Sequence, residues 1–222
     1  MPGQRGVFIT FEGLDGSGKS TQIARLSETL AARGFDVMTT REPGGSAIGE
    51  SIRSILLDSR TAGLSALAEL SLMFADRAQH VEEVIEPALK AGKTVICDRY
   101  TDSTEAYQGF GRQLGSEIVH ELHRGLCHDL WPDLTLLLES EQDASVARAR
   151  NRNQTSQSSE DRFENEDAAF FRRVHRGFEQ IAEREGNRVV RIHAGTIQKV
   201  EAEVLGIVEK RFPEFVRTTV AR

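Results

Sequence analysis

Cysteine is nearly absent from this 222-residue sequence: Cys97 and Cys127 are the two, and they lack metal-ligand spacing. A disulfide scaffold or a thiolate metal centre is therefore not expected, and both side chains should be reduced, buried and apolar in behaviour. No apolar run approaches the roughly 20 residues needed to cross a bilayer. Nor is there a basic segment followed by an apolar stretch near residue 1, so a cytoplasmic location is expected. Positive charge is in deficit, with 28 Lys and Arg against 34 Asp and Glu and a net charge of −6. That balance argues against a general nucleic-acid or anionic-membrane surface. Tyrosine is scarce too, and both copies, Tyr100 and Tyr107, fall in one short segment.

What is present is the composition of an ordinary globular chain, 39% hydrophobic and 28% charged, long enough for one domain over residues 1–222. Short runs of β-formers at Val7–Phe11, Phe35–Thr40, Thr94–Cys97, Asp133–Glu139 and Arg188–His193 are predicted strands. Ile23, Leu26 and Leu30 recur at helical spacing before Gly34, and helices are also predicted over Ile48–Leu57 and most of Leu64–Leu89. Strands alternating with helices point to an α/β fold with a parallel sheet covered on both faces. One stretch differs: Asn151–Glu160 has no apolar residue, and arginines flank it. It is expected to be a solvated loop and, given those arginines, a lid over phosphate.

Gly13-x4-Gly18-Lys19-Ser20 forms a complete phosphate-cradle motif between a predicted strand and a predicted helix. Glycines allow a tight turn in which successive N–H groups face phosphate oxygens. Lys19 can reach the β- and γ-phosphates, and the Ser20 hydroxyl suits Mg²⁺. The helix that begins near Lys19 adds the positive end of its dipole. A nucleoside triphosphate is the ligand this implies; the motif says nothing about what receives phosphate.

Two further segments narrow the acceptor. Thr40–Gly45 (TREPGG) follows the second strand, and Asp98–Gly109 (DRYTDSTEAYQG) follows the third. In parallel sheets ligands collect beyond the carboxyl ends of strands, so both should face the cradle's crevice. With FEGLDGSGKST, the Leu72–Arg77 stretch (LMFADR) and DRFENED before Phe170-Phe171, they recur in the order found in one family. The sequence resembles the thymidylate kinases, of the bacterial type, from the first strand to about Ile181. In that type the cradle position held by Gly16 is not arginine, and basic lid residues serve instead.

That resemblance implies a P-loop fold with a five-stranded parallel sheet in the order 2-3-1-4-5, a homodimer, and transfer of the γ-phosphate of ATP to dTMP with Mg²⁺. It places Gly13, Leu14, Asp15, Gly16, Ser17, Gly18, Lys19, Ser20 and Thr21 against ATP, with Ser20 and Asp98 toward the metal. Arg99 and Arg53 match the holders of the dTMP phosphate, and planar guanidinium groups suit phosphate because they can pair two oxygens. Asp15 matches a contact to the sugar 3′-hydroxyl. Phe74 matches the ring that stacks on thymine, and Arg77 a donor to the base. Ser103 and Gln108 match the base pocket, and Tyr107 the residue that crowds a ribose 2′ position.

The lid is expected at about residues 148–163, with Arg148, Arg150 and Arg152 before the polar loop and Arg162 after it. Arg150 and Arg162 are the expected catalytic cations beside Lys19 and Arg99, acting as an internal arginine finger does. The adenine end is expected near Ala194–Thr196, with no role for His193. His120 and His123 share helical spacing but lack a ligand framework, and are read as surface residues. Three rival functions stand beside this reading: a P-loop kinase for another nucleotide or nucleoside, a nucleotide-dependent regulatory switch, and a catalytically silent nucleotide-binding module, which the intact motif residues disfavour. Against the switch, no Asn-Lys-x-Asp guanine-reading motif occurs.

Overall fold

The computed structural model describes residues 5–61, 63–139, 162–163 and 165–216. Five parallel strands form its sheet: β1 (Phe8–Glu12), β2 (Val37–Arg41), β3 (Thr94–Asp98), β4 (Leu134–Leu138) and β5 (Val189–Ile192). Their order is β2-β3-β1-β4-β5, as the resemblance implied. The chain leaves β1, crosses past β3 to build β2, returns for β3, and only later adds β4 on the other side. This places a switch in strand order at β1, with a crevice beyond the carboxyl ends of β1, β3 and β4.

β1 and β4 are buried at every position, which explains why both read as runs of β-formers with no apolar–polar alternation. One polar pair between them is satisfied across the strands, since the Thr10 and Thr135 hydroxyls bond each other at 2.8 Å. On one face Ile9, Phe11, Leu134 and Leu136 pack with Leu26 and Leu30 of α1 (Lys19–Ala32). Truncating a side chain such as Leu136 to alanine there would cost about 2–5 kcal/mol.

The helix over residues 64–89 is in fact three joined pieces. α3 (Ala66–His80) runs into a π-helical turn (Val81–Ile85) and then α4 (Glu86–Lys90). α2 (Ala47–Leu57) packs beside α3 and begins at Ser46, whose side chain accepts the Gly49 N–H at 3.0 Å. The DRYTDSTEAYQG segment is itself helical: α5 (Thr101–Thr104) continues as a π-helix over Glu105–Gly111. Then follow α6 (Ser116–Leu126), α7 (Ala168–Arg184) and α8 (Ile197–Arg211). Among the described residues no helix is long and apolar enough to cross a membrane.

Candidate active site

The cradle turns where glycine permits it. Gly13 has φ 129°, and a Cβ there would lie 2.4 Å from the Leu138 carbonyl oxygen; Gly18 has φ 100° and caps α1. Inside the turn, the buried Lys19 ammonium donates to the carbonyls of Gly13 at 3.1 Å and Leu14 at 3.0 Å. Burial, and then the nearby Arg99 charge, lowers its pKa from the ordinary lysine value. Ser20 heads α1, and its hydroxyl stands 3.5 Å from the Asp98 carboxylate at the end of β3. The other Asp98 oxygen is buried without a hydrogen-bond partner. A hydroxyl and a carboxylate facing one another form a hard-oxygen donor set, suited to Mg²⁺ when phosphate and water complete it.

Arg99 links this donor side to the next cluster. It adopts φ 69°, unusual for a non-glycine residue, and its guanidinium reaches back across the crevice. It donates to Asp15 at 2.9 Å and to the Ser103 hydroxyl at 2.9 Å, and lies 5.2 Å from the centre of the Tyr107 ring. The Tyr107 ring is wedged edge-on among Phe163, Phe170 and Phe178. Four of the expected acceptor residues (Asp15, Arg99, Ser103 and Tyr107) thus form one contact chain.

Glu12 underlies that chain, and sequence reasoning passed it over as a strand end. Fully buried at the last position of β1, it accepts the Tyr100 N–H at 2.7 Å and bonds the Ser103 hydroxyl. Burial, and then the Asp102 charge, pushes its carboxyl up to about 8. Its partners lie 88 and 91 positions away, and no local pattern in the sequence signals them.

The residues expected to face the base gather on α3 and the α5–π segment. Arg77 is buried, with its Nε on Glu42 at 2.7 Å and one terminal nitrogen on the Thr104 hydroxyl at 2.8 Å. Its other terminal nitrogen is buried and has no hydrogen-bond partner. Phe74 is wholly buried, with the Arg77 guanidinium carbon 4.9 Å from its ring centre. Burial alone would raise the Glu42 carboxyl, but Arg77 and then His80 outweigh it and hold it below the usual carboxylate range. Arg53 donates to the Pro43 carbonyl at 2.8 Å and so belongs to the same PGG bend. Asp76 accepts the Gly44 N–H at 3.0 Å there, and burial followed by the Glu42 charge pushes its carboxyl up to about 7.

Gln108 stands one turn beyond Thr104. Its amide nitrogen donates to Glu69 at 2.7 Å, while its amide oxygen is buried without a partner. Glu69 also pairs with Arg112 at 3.1 Å and with Arg162 at 2.8 Å. Arg162 is buried here, its Nε donating to the Leu56 carbonyl at 2.5 Å. Arg148, Arg150 and Arg152 lie outside the described residues, as does most of the expected lid.

One expectation is corrected outright. His123 is not a surface residue: it is fully buried, bonded through Nδ1 to the Thr101 hydroxyl at 2.9 Å and packed on Trp131. His120 is half-buried and paired with Glu105 at 2.8 Å. Neither belongs to a cluster suited to a metal among the described residues. His193 is exposed and pairs with Glu139 at 2.7 Å.

Known proteins resemble this chain in sequence and in fold. The family model described as "Thymidylate kinase" matches residues 11–204. A curated thymidylate kinase from Desulfovibrio desulfuricans is 52% identical over 190 residues, covering 85% of this chain and 88% of that protein. One from Solidesulfovibrio magneticus is 47% identical over 207 residues, covering 92% and 99% respectively. Among solved structures, thymidylate kinase from Ehrlichia chaffeensis superposes with a TM-score of 0.74 at 34% identity, covering 92% of this chain and 99% of that one.

Proposed function

The chain belongs to the thymidylate kinase family, and from that membership we propose how its residues divide the work of ATP-dependent dTMP phosphorylation. The reaction is transfer of the γ-phosphate of ATP to dTMP, giving dTDP and ADP, in nucleotide biosynthesis. Neither a different acceptor nor a regulatory switch is favoured.

On the donor side, Gly13–Thr21 wraps the triphosphate and Lys19 exchanges its carbonyl contacts for phosphate oxygens. Ser20 and Asp98 would hold Mg²⁺, which supplies neutralising charge at the phosphates when bound. Arg99 and Arg53 take the dTMP phosphate, and Asp15 orients the sugar through its 3′-hydroxyl. Arg150 supplies the lid cation at the transferring phosphoryl. Arg162 would have to leave Glu69 to join it, so we assign Arg162 the anchoring of the lid's far end in the state described. Residues 1–222 act as one P-loop kinase domain with the lid at about 148–163, in the cytoplasm.

The observation that carries the base assignment is the pair of unpartnered buried atoms, one Arg77 terminal nitrogen and the Gln108 amide oxygen. A guanidinium nitrogen only donates and an amide oxygen only accepts. Together they offer what thymine's O4 and N3–H require, and both mismatch cytosine, which presents an amino group and a bare nitrogen. Phe74, matched by the resemblance to the stacking ring, is wholly buried with Leu70, Val81 and Cys97 and backs the guanidinium from the core side. ADP release with MgATP tests the assignment: Arg77→Met should raise the KM for dTMP more than it lowers kcat, and a variant with unchanged KM contradicts it.

A homodimer is proposed through α2 and α3, where Ile48, Ile55 and Leu67 are each about half exposed beside one another's helices. Sedimentation of the intact chain checks this; a monomer that persists at micromolar concentration overturns it.

A further inference from the structure

Glu69 lies in the first turn of α3, fully buried, and faces donors on every side. Both of its oxygens receive the Arg112 Nε at 3.2 Å; Arg162 approaches at 2.8 Å and the Gln108 amide nitrogen at 2.7 Å. Arg112 is in turn held by Glu166 at 2.6 Å and lies against the Phe170 ring. The two arginines are thus fixed from outside, and the carboxylate is fixed by them.

We propose that Glu69 is a specificity-determining positioning residue, which sets the Gln108 amide so that its oxygen, not its nitrogen, faces the base. The inference rests on the base reading proposed above. A glutamine amide has two ends of nearly equal shape, one donating and one accepting. Left free to turn, it would accept from the N3–H of thymine in one orientation and donate to the bare N3 of cytosine in the other. Glu69 removes that freedom. A carboxylate flanked by two guanidinium groups offers only acceptors, so the amide nitrogen must turn toward it. The opposite orientation would press two oxygens together and strand a buried donor, a penalty of about ten- to a hundredfold in population. Gln108 then discriminates between bases because a residue that never touches the base has already oriented it.

The test uses Glu69→Gln in the full chain. Its own amide oxygen would stay with Arg112 and Arg162, leaving its nitrogen toward Gln108, which would then turn its oxygen inward and its nitrogen to the base. With saturating MgATP, the ratio of kcat/KM on dTMP to that on dCMP should fall about tenfold or more, with KM for dTMP rising more than kcat falls. Gln108→Leu, measured in parallel, should also lower the ratio. If it does and folded Glu69→Gln leaves the ratio within about twofold, the Glu69 inference is overturned while the base reading stands. If Gln108→Leu leaves the ratio intact, the base reading itself fails. Glu69→Asp keeps an acceptor-only group and should hold the ratio within about threefold even if KM rises. A collapse of the ratio in that variant, or in Glu69→Gln only alongside lost thermal stability, would show a merely structural role.

Discussion

Arg99 and Asp15 bond each other at 2.9 Å, so the residue that follows β3 grips the middle of the loop that follows β1. These two loops come from adjacent parallel strands, and in the proposed reaction donor and acceptor phosphates meet at their junction. A carboxylate beside triphosphate is otherwise unfavourable by Coulomb repulsion; here the partly buried Arg99 guanidinium compensates it.

Asp15→Asn should therefore lower kcat/KM for dTMP by about ten- to a hundredfold, the worth of one charge-assisted hydrogen bond. The KM for ATP should change little. Steady-state ADP release at varied dTMP and then varied ATP separates the two, and an effect confined to ATP would contradict the acceptor role.

Tyr107 is predicted to set sugar selectivity. Its ring is held on one side by Arg99 and on the others by Phe163, Phe170 and Phe178, so it cannot yield to an added 2′-hydroxyl. Tyr107→Ala should bring the efficiencies on dTMP and ribothymidine monophosphate closer by about tenfold, since steric exclusion is worth one or two kcal/mol at such a contact. It should also cost about 3–5 kcal/mol of stability, measurable by denaturant titration. An unchanged ratio in the folded variant rules out this role.

The lid arginines are predicted to differ. Arg150→Ala should lower kcat by about a thousandfold with small changes in KM, as loss of an arginine finger does. Arg162→Ala should instead raise the KM for dTMP and lower thermal stability, because Glu69 loses a buried partner. A dominant kcat effect at Arg162 and none at Arg150 would reverse the assignment.

Glu12 gives a pH dependence with a defined sign. Its carboxyl is near the ordinary value of 4.5 when unfolded and about 8 when folded, so the folded state holds a proton that the unfolded state has released. Stability from this group is complete below about pH 4.5, declines by up to about 1.4 kcal/mol per pH unit, and is lost once pH passes about 8. Glu12→Gln removes that dependence. Urea midpoints for both proteins at pH 5.5 and 8 should therefore show the variant gaining on the parent as pH rises; a constant difference contradicts the shift.

How much of this was legible in the sequence follows from where each interaction lies. The cradle was fully legible because its chemistry is local: glycines, Lys19 and Ser20 act within one turn. All five strands were found, with ends displaced by one or two residues at places such as Glu12 and Asp98, where charged side chains close a buried strand. The strand order came only through the family resemblance, since crossovers leave no local pattern. The helical form of Thr101–Gly111 was missed because the segment opens on a run of polar residues (TDSTE) and ends in two glycines within three positions, which reads as a loop. Glu12, Glu69 and the buried state of His123 were missed for a different reason. Polar residues with distant partners look like surface residues until the fold brings those partners to them.

The measurement closest to the central claim follows the labelled γ-phosphate of ATP in the presence of Mg²⁺, across dTMP, dUMP, dCMP, dGMP, thymidine and no acceptor. The account predicts that label passes to dTMP as dTDP, more weakly to dUMP, and negligibly elsewhere. Transfer to thymidine in preference to dTMP, or ATP turnover equally fast without an acceptor, would contradict it.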